Sequence, residues 1–313
     1  MPNHDFDDCW FLSGPTASGK THVAIELARR IGAEIISMDS MALYRGMDIG
    51  TAKPSADERC EVSHHLIDVI EPHEEYSLAQ YVAAAARAAD EIRSRSRQVL
   101  FVGGTPLYLK SLLRGIFEGP PADWELRRRL RDEAGMGDPI RLHQLLVQVD
   151  PTAAERLHPN DTRRIIRALE VFEKTGQPIS RLQQQFDRAR PAGQCRVFVL
   201  EWPRDVLHDR IDRRVEQMFA AGLVDEVRRL LARSNPPSRT ATQALGYREV
   251  IQYLQQGGRL EEAACAVKTH TRQFAKRQGT WFRSLSECRF IPLNEQLDSV
   301  AVAAEIERVG AAI

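Results

Sequence analysis

Residues Gly14-Pro15-Thr16-Ala17-Ser18-Gly19-Lys20-Thr21 have the spacing G-x-x-x-x-G-K-T, and the chemistry of that pattern is the holding of phosphate. Gly14 and Gly19 let the backbone fold back on itself, so that several N–H groups and the positive end of a following helix aim at one spot. Lys20 adds a mobile positive charge for an outer phosphate. The Thr21 hydroxyl is placed to hold a magnesium ion bridging two phosphates. Asp39 and Thr105 are the next candidates, a carboxylate and a hydroxyl that each follow a short apolar run. Together these groups suit transfer of a group away from diphosphate, with Asp39 as general base on the incoming nucleophile.

Those residues need elements to position them. Cys9 to Ser13 reads as a buried parallel strand, and from His22 to Ile31 the apolar spacing of Val23, Leu27 and Ile31 is helical. A chance glycine-rich turn has no reason to sit between such a strand and such a helix. Ala33 to Ser37 is a second strand with Asp39 just past its carboxyl end, where ligands collect in a doubly wound parallel sheet. Tyr44 to Pro54 is rich in glycine and reads as a loop over the same edge. Gln98 to Val102 is the strongest strand, and the Gly103-Gly104 that follows permits close approach of backbone before Thr105. The strongest apolar strand ends in Gly-Gly-Thr and not in the acid expected of a generic ATPase, which weakens that reading. Tyr76 to Arg97 is an alanine-rich amphipathic helix that covers the sheet.

From Gly119 to about Ser180 no strand candidate occurs and short helical segments carry many arginines, so a helical insertion is expected. Asn160-Asp161-Thr162 supplies an N-cap for a helix through Phe172, with Arg163, Arg164 and Arg167 on one side of it. Cys195 to Leu200 returns as a strand. The chain is then helical, with an apolar stripe at Leu207, Ile211, Val215 and Met218. A later helix places Lys268, Arg272 and Lys276 four residues apart as a positive stripe with Phe274, Trp281 and Phe282 among the basic residues. Such a stripe suits phosphate contact and base stacking, although aromatics at helical spacing also build cores. The tail after Pro292 ends in a short amphipathic helix that reads as structural.

The expected fold is α/β, a P-loop NTPase-like parallel sheet core flanked by helices with a helical insertion domain. Residues 1–118 form the first part of the core, 119–185 the insertion, and 186–313 complete the core and add C-terminal helices. With 43 basic and 43 acidic residues the net charge is zero, so only local charge can argue for nucleic acid. The five cysteines are scattered without C-x-x-C spacing and read as reduced thiols. His64-His65 reads as packing or hydrogen bonding, because no second ligand cluster accompanies the pair. The N-terminus has no secretory pattern and no long apolar run occurs, so a soluble cytoplasmic protein is expected, with no membrane partner.

In order and spacing, GPTASGKT, MDSMALYRGMDIGTAKP, HHLID, VGGTPLYLKSLLRG, NDTRRIIRALE, GLVDEV, ALGYRE and AKRQGTWFR resemble the bacterial tRNA dimethylallyltransferase family over nearly the whole chain. The resemblance implies transfer of the dimethylallyl group of dimethylallyl diphosphate to N6 of adenosine-37, beside the anticodon of tRNAs reading UNN codons, with release of diphosphate. Magnesium is the implied cofactor, and tRNA and dimethylallyl diphosphate are the partners of a chain expected to be monomeric. The P-loop then holds an isoprenoid diphosphate, which accounts for the missing acid. Carried over by position, Asp39 takes the proton from the adenine amino group, Thr105 meets the target nucleotide, and Gly14 through Thr21 hold the donor with Thr21 on the metal. Arg214 lies on the diphosphate. The implied tRNA contacts are Asp39, Ser40, Met41, Ala42, Thr105, Arg127, Arg163, Arg164, Ile165, Ile166, Arg167, Gln243, Gly246, Tyr247, Arg248, Lys276, Arg277, Gln278, Trp281 and Arg283. Pro106 departs from the Gly or Met usual after the threonine. A small-molecule or nucleoside kinase would share the P-loop and Asp but would not need basic helices through the C-terminal half. An adenylate isopentenyltransferase would share the donor yet lack the insertion. A non-catalytic RNA-binding protein would have no use for the phosphate cradle.

Overall fold

The computed structural model describes residues 6–117, 119–133, 138–183, 189–294 and 296–313. It divides into two compact units, one of residues Met1–Leu113 and Ala189–Ile313, the other of Arg114–Arg188. The expected edges of the insertion, 118/119 and 185/186, fall at Glu118 and within 184–188, outside the described residues, as does the N-terminal stretch through Asp5.

The first unit is built on a six-stranded sheet with order β3-β2-β4-β1-β5-β6, every pairing parallel. Its strands are β1 (Trp10–Ser13), β2 (Ala33–Ser37), β3 (His64–His65), β4 (Gln98–Gly103), β5 (Val197–Glu201) and β6 (Arg289–Pro292). The apolar runs are short and continuous because helices cover both faces of a parallel sheet. All of β1 and β2 is buried. On one face α1 (Lys20–Ile31) packs against α15 (Ser299–Gly310), joining Leu12, Val23, Leu27, Leu100, Phe198 and Ile306 in one core. On the other, α3 (Leu78–Ser94) lies against β2 and β4, and its buried alanines bring the helix close to the sheet.

The strand order decides where the chemistry goes. β1, β4 and β2 are neighbours, so the loops at their carboxyl ends lie side by side: the P-loop after β1, Gly104-Thr105 after β4 and Met38-Asp39 after β2. β6 was not legible in the sequence. Its Arg289 and Pro292 frame only two apolar residues, a composition that suits a sheet edge and breaks the pattern of a buried strand.

The second unit contains, among its described residues, only helices: α5 (Trp124–Glu133), α6 (Pro139–Val149), α7 (Pro151–Arg156), α8 (Thr162–Thr175) and α9 (Ile179–Leu182). It has its own core of Leu126, Leu130, Leu142, Leu146, Ile165, Ile166 and Leu169. Asp161 caps α8, and the helix runs beyond Phe172 to Thr175, where Gly176 at φ 69° ends it. In the first unit, α10 (Arg204–Ala220) packs on α14 (Leu260–Arg283) through Ile211, Val215, Val267 and Ala275. Among the described residues no helix is long and apolar enough to cross a membrane. None of the five cysteines forms a disulfide among the described residues. His65 bonds Glu34 and His64 bonds the Val62 carbonyl, both at 2.7 Å, as the hydrogen-bonding reading expects.

Candidate active site

The P-loop is held from outside. Gly14 has φ 153° and Gly19, the residue before α1, φ 85°, conformations that side chains resist. A Cβ on Gly14 would stand 2.9 Å from the Ser18 hydroxyl. The loop carbonyls find partners on other elements. Trp202 Nε1 donates to Ser18 O at 3.0 Å, and Arg210, stacked on the Trp202 ring, donates to Ala17 O at 2.9 Å. Gly19 offers no side chain to cap the helix, so the first-turn N–H groups face the site unmet by a side-chain acceptor.

Lys20 folds over this loop and donates to Gly14 O at 2.9 Å and Pro15 O at 2.7 Å. Burial of its ammonium, reinforced by the nearby charge of Arg214 and opposed by Asp39, pushes its pKa down to about 7. Arg214, on α10, is likewise held below its ordinary range by burial. One of its Nη atoms reaches Thr51 O at 3.5 Å, and its Nε is buried without a hydrogen-bond partner among the described residues. A buried guanidinium N–H left unmet beside a lysine and a helix start is a site shaped for an anion.

Asp39 and Thr105 stand next to this cradle. Asp39 Oδ1 accepts from Met41 N at 2.8 Å and Ala42 N at 3.4 Å, while Oδ2 has no hydrogen-bond partner among the described residues. Thr105 Oγ1 accepts from Ser40 N at 3.1 Å, which leaves its proton available to donate. The turn is tight: a Cβ on Gly103 would lie 2.0 Å from Met38 O, so Asp39 and Thr105 can approach only because residue 103 is glycine. The stacked pair Tyr81 and Tyr108 lies beneath, with both phenols raised by burial and then by the charge of Asp39 or neighbouring tyrosines. Tyr81 donates to Ser37 O at 3.0 Å and fixes the end of β2.

Thr21 is partly exposed at the start of α1. Among the described residues there is no group of three or more His, Cys, Asp or Glu that could hold a metal ion. A lone hydroxyl beside an anion cradle fits magnesium that arrives with phosphate oxygens and water, as that ion prefers, and does not fit a resident ion in a protein cage.

Several expected contacts have other partners. Ile165 and Ile166 are buried in the core of the second unit, because the face of α8 opposite its arginines is its packing face, so their side chains are not part of a surface. Arg127 and Arg167 both bind Glu170, which is fully buried; Arg127 does so through two bonds of 2.9 Å. Arg163 is exposed, and exposed Arg164 pairs with Asp161. The positive stripe on α14 is largely neutralised: Lys268 bonds Glu216 at 2.6 Å and Arg272 grips Asp212 through two nitrogens. Lys276 and Arg277 remain exposed, and Arg283 pairs with Glu201. Ala42 and Gly246 are buried, Gln243 is exposed, Arg248 bonds Glu249, and Trp281 is half-buried. Ser40 and Met41 are half-buried beside Asp39. Gln278 is turned inward and Tyr247 is buried.

Tyr247 belongs to a clamp that spacing alone does not show. Its hydroxyl donates to Glu226 at 2.6 Å, and the Glu226 carboxylate also accepts the backbone N–H groups of Asp48, Ile49 and Gly50. Glu226 thereby pins the glycine-rich loop whose Thr51 carbonyl meets Arg214. The readable signal was an acid on the apolar stripe Leu223, Val227 and Leu230 of α11 (Leu223–Leu231).

Fold and site together define a P-loop α/β protein whose anion cradle sits against a carboxylate and a hydroxyl, the arrangement of a group-transfer enzyme working on a phosphate ester. A family model described as IPP transferase matches residues 42–285. A tRNA dimethylallyltransferase of Rhodopirellula baltica is 48% identical over 91% of this chain and 87% of its own, and one of Pelotomaculum thermopropionicum is 44% identical over 95% and 94%. The crystal structure of the tRNA isopentenylpyrophosphate transferase of Bacillus halodurans is 37% identical, covers 98% of this chain and 96% of its own, and superposes with a TM-score of 0.70. A eukaryotic dimethylallyltransferase seen acting on tRNA gives a TM-score of 0.76 at 26% identity, over 97% of this chain and 79% of its own. The chain belongs to the IPP transferase family. The kinase alternative finds no support among these relatives.

Proposed function

We propose that this protein transfers the dimethylallyl group of dimethylallyl diphosphate to N6 of adenosine-37 in tRNAs reading UNN codons and releases diphosphate. The observation that carries the reading is that Asp39, one of whose oxygens has no hydrogen-bond partner among the described residues, lies within the charge field of Lys20 and of Arg214, whose buried Nε is also without a partner among them. Ionisation of the allylic carbon–oxygen bond builds negative charge on the leaving diphosphate. Lys20, Arg214 and the N–H groups at the start of α1 are donors that would stabilise that charge. Magnesium held through Thr21 would neutralise further diphosphate charge when bound.

An exocyclic amine is a poor nucleophile until its proton has somewhere to go. The target base must leave its stack to reach the site, and Thr105 would meet it there while Asp39 Oδ2 accepts the amine proton as nitrogen bonds to carbon. Oδ1, held by two backbone N–H groups, keeps the carboxylate aimed. In this reading tRNA meets the exposed Gln243, Lys276 and Arg277 of the first unit and the exposed Arg163 and Arg164 of the second. Arg127 and Arg167, both bonded to Glu170, serve mainly to shape the second unit. The enzyme works as a monomer in the cytoplasm on this reading.

The test is transfer to competing acceptors. Purified protein with magnesium and radiolabelled dimethylallyl diphosphate should label unmodified tRNA and not AMP. Label in AMP would make it an enzyme of free nucleotides, and label in neither, with ATP turnover instead, would return the P-loop to nucleotide chemistry.

A further inference from the structure

Gln278 lies on α14 and is only 3% exposed, although the segment around it carries Lys276 and Arg277 on the surface. Its side-chain amide makes two bonds at once. Oε1 accepts from Thr16 N in the P-loop at 2.9 Å, and Nε2 donates to Gly104 O in the turn before Thr105 at 2.5 Å. One planar amide thus ties the loop that would hold the donor to the turn that would meet the acceptor. A carboxylate could not donate to Gly104, an ammonium could not accept from Thr16, and an apolar side chain could do neither.

The neighbourhood fits the bridge closely. A Cβ on Gly104 would meet Gln278 Nε2 at 2.7 Å, Gly14 O at 3.4 Å and Lys20 Nζ at 3.6 Å. Residue 104 is therefore pressed between the amide and the P-loop, and glycine is what lets the two approach. The bridge also withdraws Thr16 N from the cradle, so the anion is left to the helix-start amides, Lys20 and Arg214.

We infer that Gln278 is a positioning residue that fixes the distance between the diphosphate cradle and the Gly104-Thr105 turn, so that donor and acceptor meet in register. This rests on the transferase reading given above. Misplacement of reacting groups by about 1 Å costs on the order of 100-fold in rate without removing any binding group.

The experiment first measures labelled dimethylallyl transfer to tRNA by the wild-type protein, then by Gln278→Leu, Gly104→Ala and the double variant. Wild-type protein that transfers no label would reject the transferase reading, and this is seen before any variant is made. With transfer in hand, Gln278→Leu should lower kcat about 10- to 100-fold, with KM for the donor and Kd for tRNA each within about threefold. Gly104→Ala reaches the same bridge from its other end and keeps the test open if Gln278→Leu does not fold. Its loss should be of similar size, and the double variant should fall no more than about twofold below the worse single one, as expected for one shared interaction. Three results would overturn the inference: kcat of Gln278→Leu within twofold of wild type, tRNA affinity lost with kcat intact, or losses that multiply in the double variant.

Discussion

At the scale of single residues, Lys20 shows what the sequence could say and what it could not. The G-x-x-x-x-G-K-T spacing pointed to its ammonium and to phosphate, since that chemistry is local. Its depressed pKa was not legible, because the causes are burial and Arg214, a residue far along the chain. The sign of the consequence follows. In the free protein Lys20 is half neutral near pH 7, and a bound anion would favour the charged form and pull a proton on. Diphosphate binding should therefore take up protons above about pH 7, and affinity should weaken as pH rises through that range. Calorimetry in buffers of different ionisation enthalpy reads the uptake directly, and Lys20→Arg, charged throughout, should abolish it. The same limit hid the inward turn of Gln278, whose partners lie in loops read only as P-loop and turn.

Elements were read better than their faces. Periodicity and a cap at Asp161 point to the helices of the insertion, and the resemblance offers Arg127 of α5 and Arg163, Arg164 and Arg167 of α8 as tRNA contacts. Two of them are spent on Glu170, a buried acid on the packing side of α8. Helical spacing tells which residues share a side, but not which acid on a neighbouring element they meet. The difference is measurable. Arg127→Ala leaves a buried carboxylate short of its bidentate partner and should lower the stability of the second unit by about 1–3 kcal/mol. Arg163→Ala, on an exposed side chain, should change stability by no more than about 0.5 kcal/mol. It should instead reduce the slope of log affinity for tRNA against log salt by about 1. Denaturant melts and filter binding at several salt concentrations separate the two, and a reversed pattern would return Arg127 to the RNA surface.

For the molecule as a whole, the parallel sheet and its discontinuous return at β5 were legible because buried strands leave apolar runs. The sixth strand was not, because an edge strand ending in proline leaves no such run. Nor was the docking of α15 on α1, which depends on contacts between opposite ends of the sequence. Ile306 and Ala303 are fully buried there. Ile306→Ala should cost about 2–5 kcal/mol in the unfolding of the sheet unit, read as a lower denaturant midpoint at unchanged slope. The sheet order sets three loops side by side, and the proposed chemistry depends on that neighbourhood. Its most direct test is single-turnover transfer of labelled dimethylallyl to tRNA by Asp39→Ala alongside wild type. The account predicts a rate lower by about 10²- to 10⁴-fold with tRNA affinity within about threefold. An unchanged rate, or a loss explained wholly by weaker tRNA binding, would contradict it.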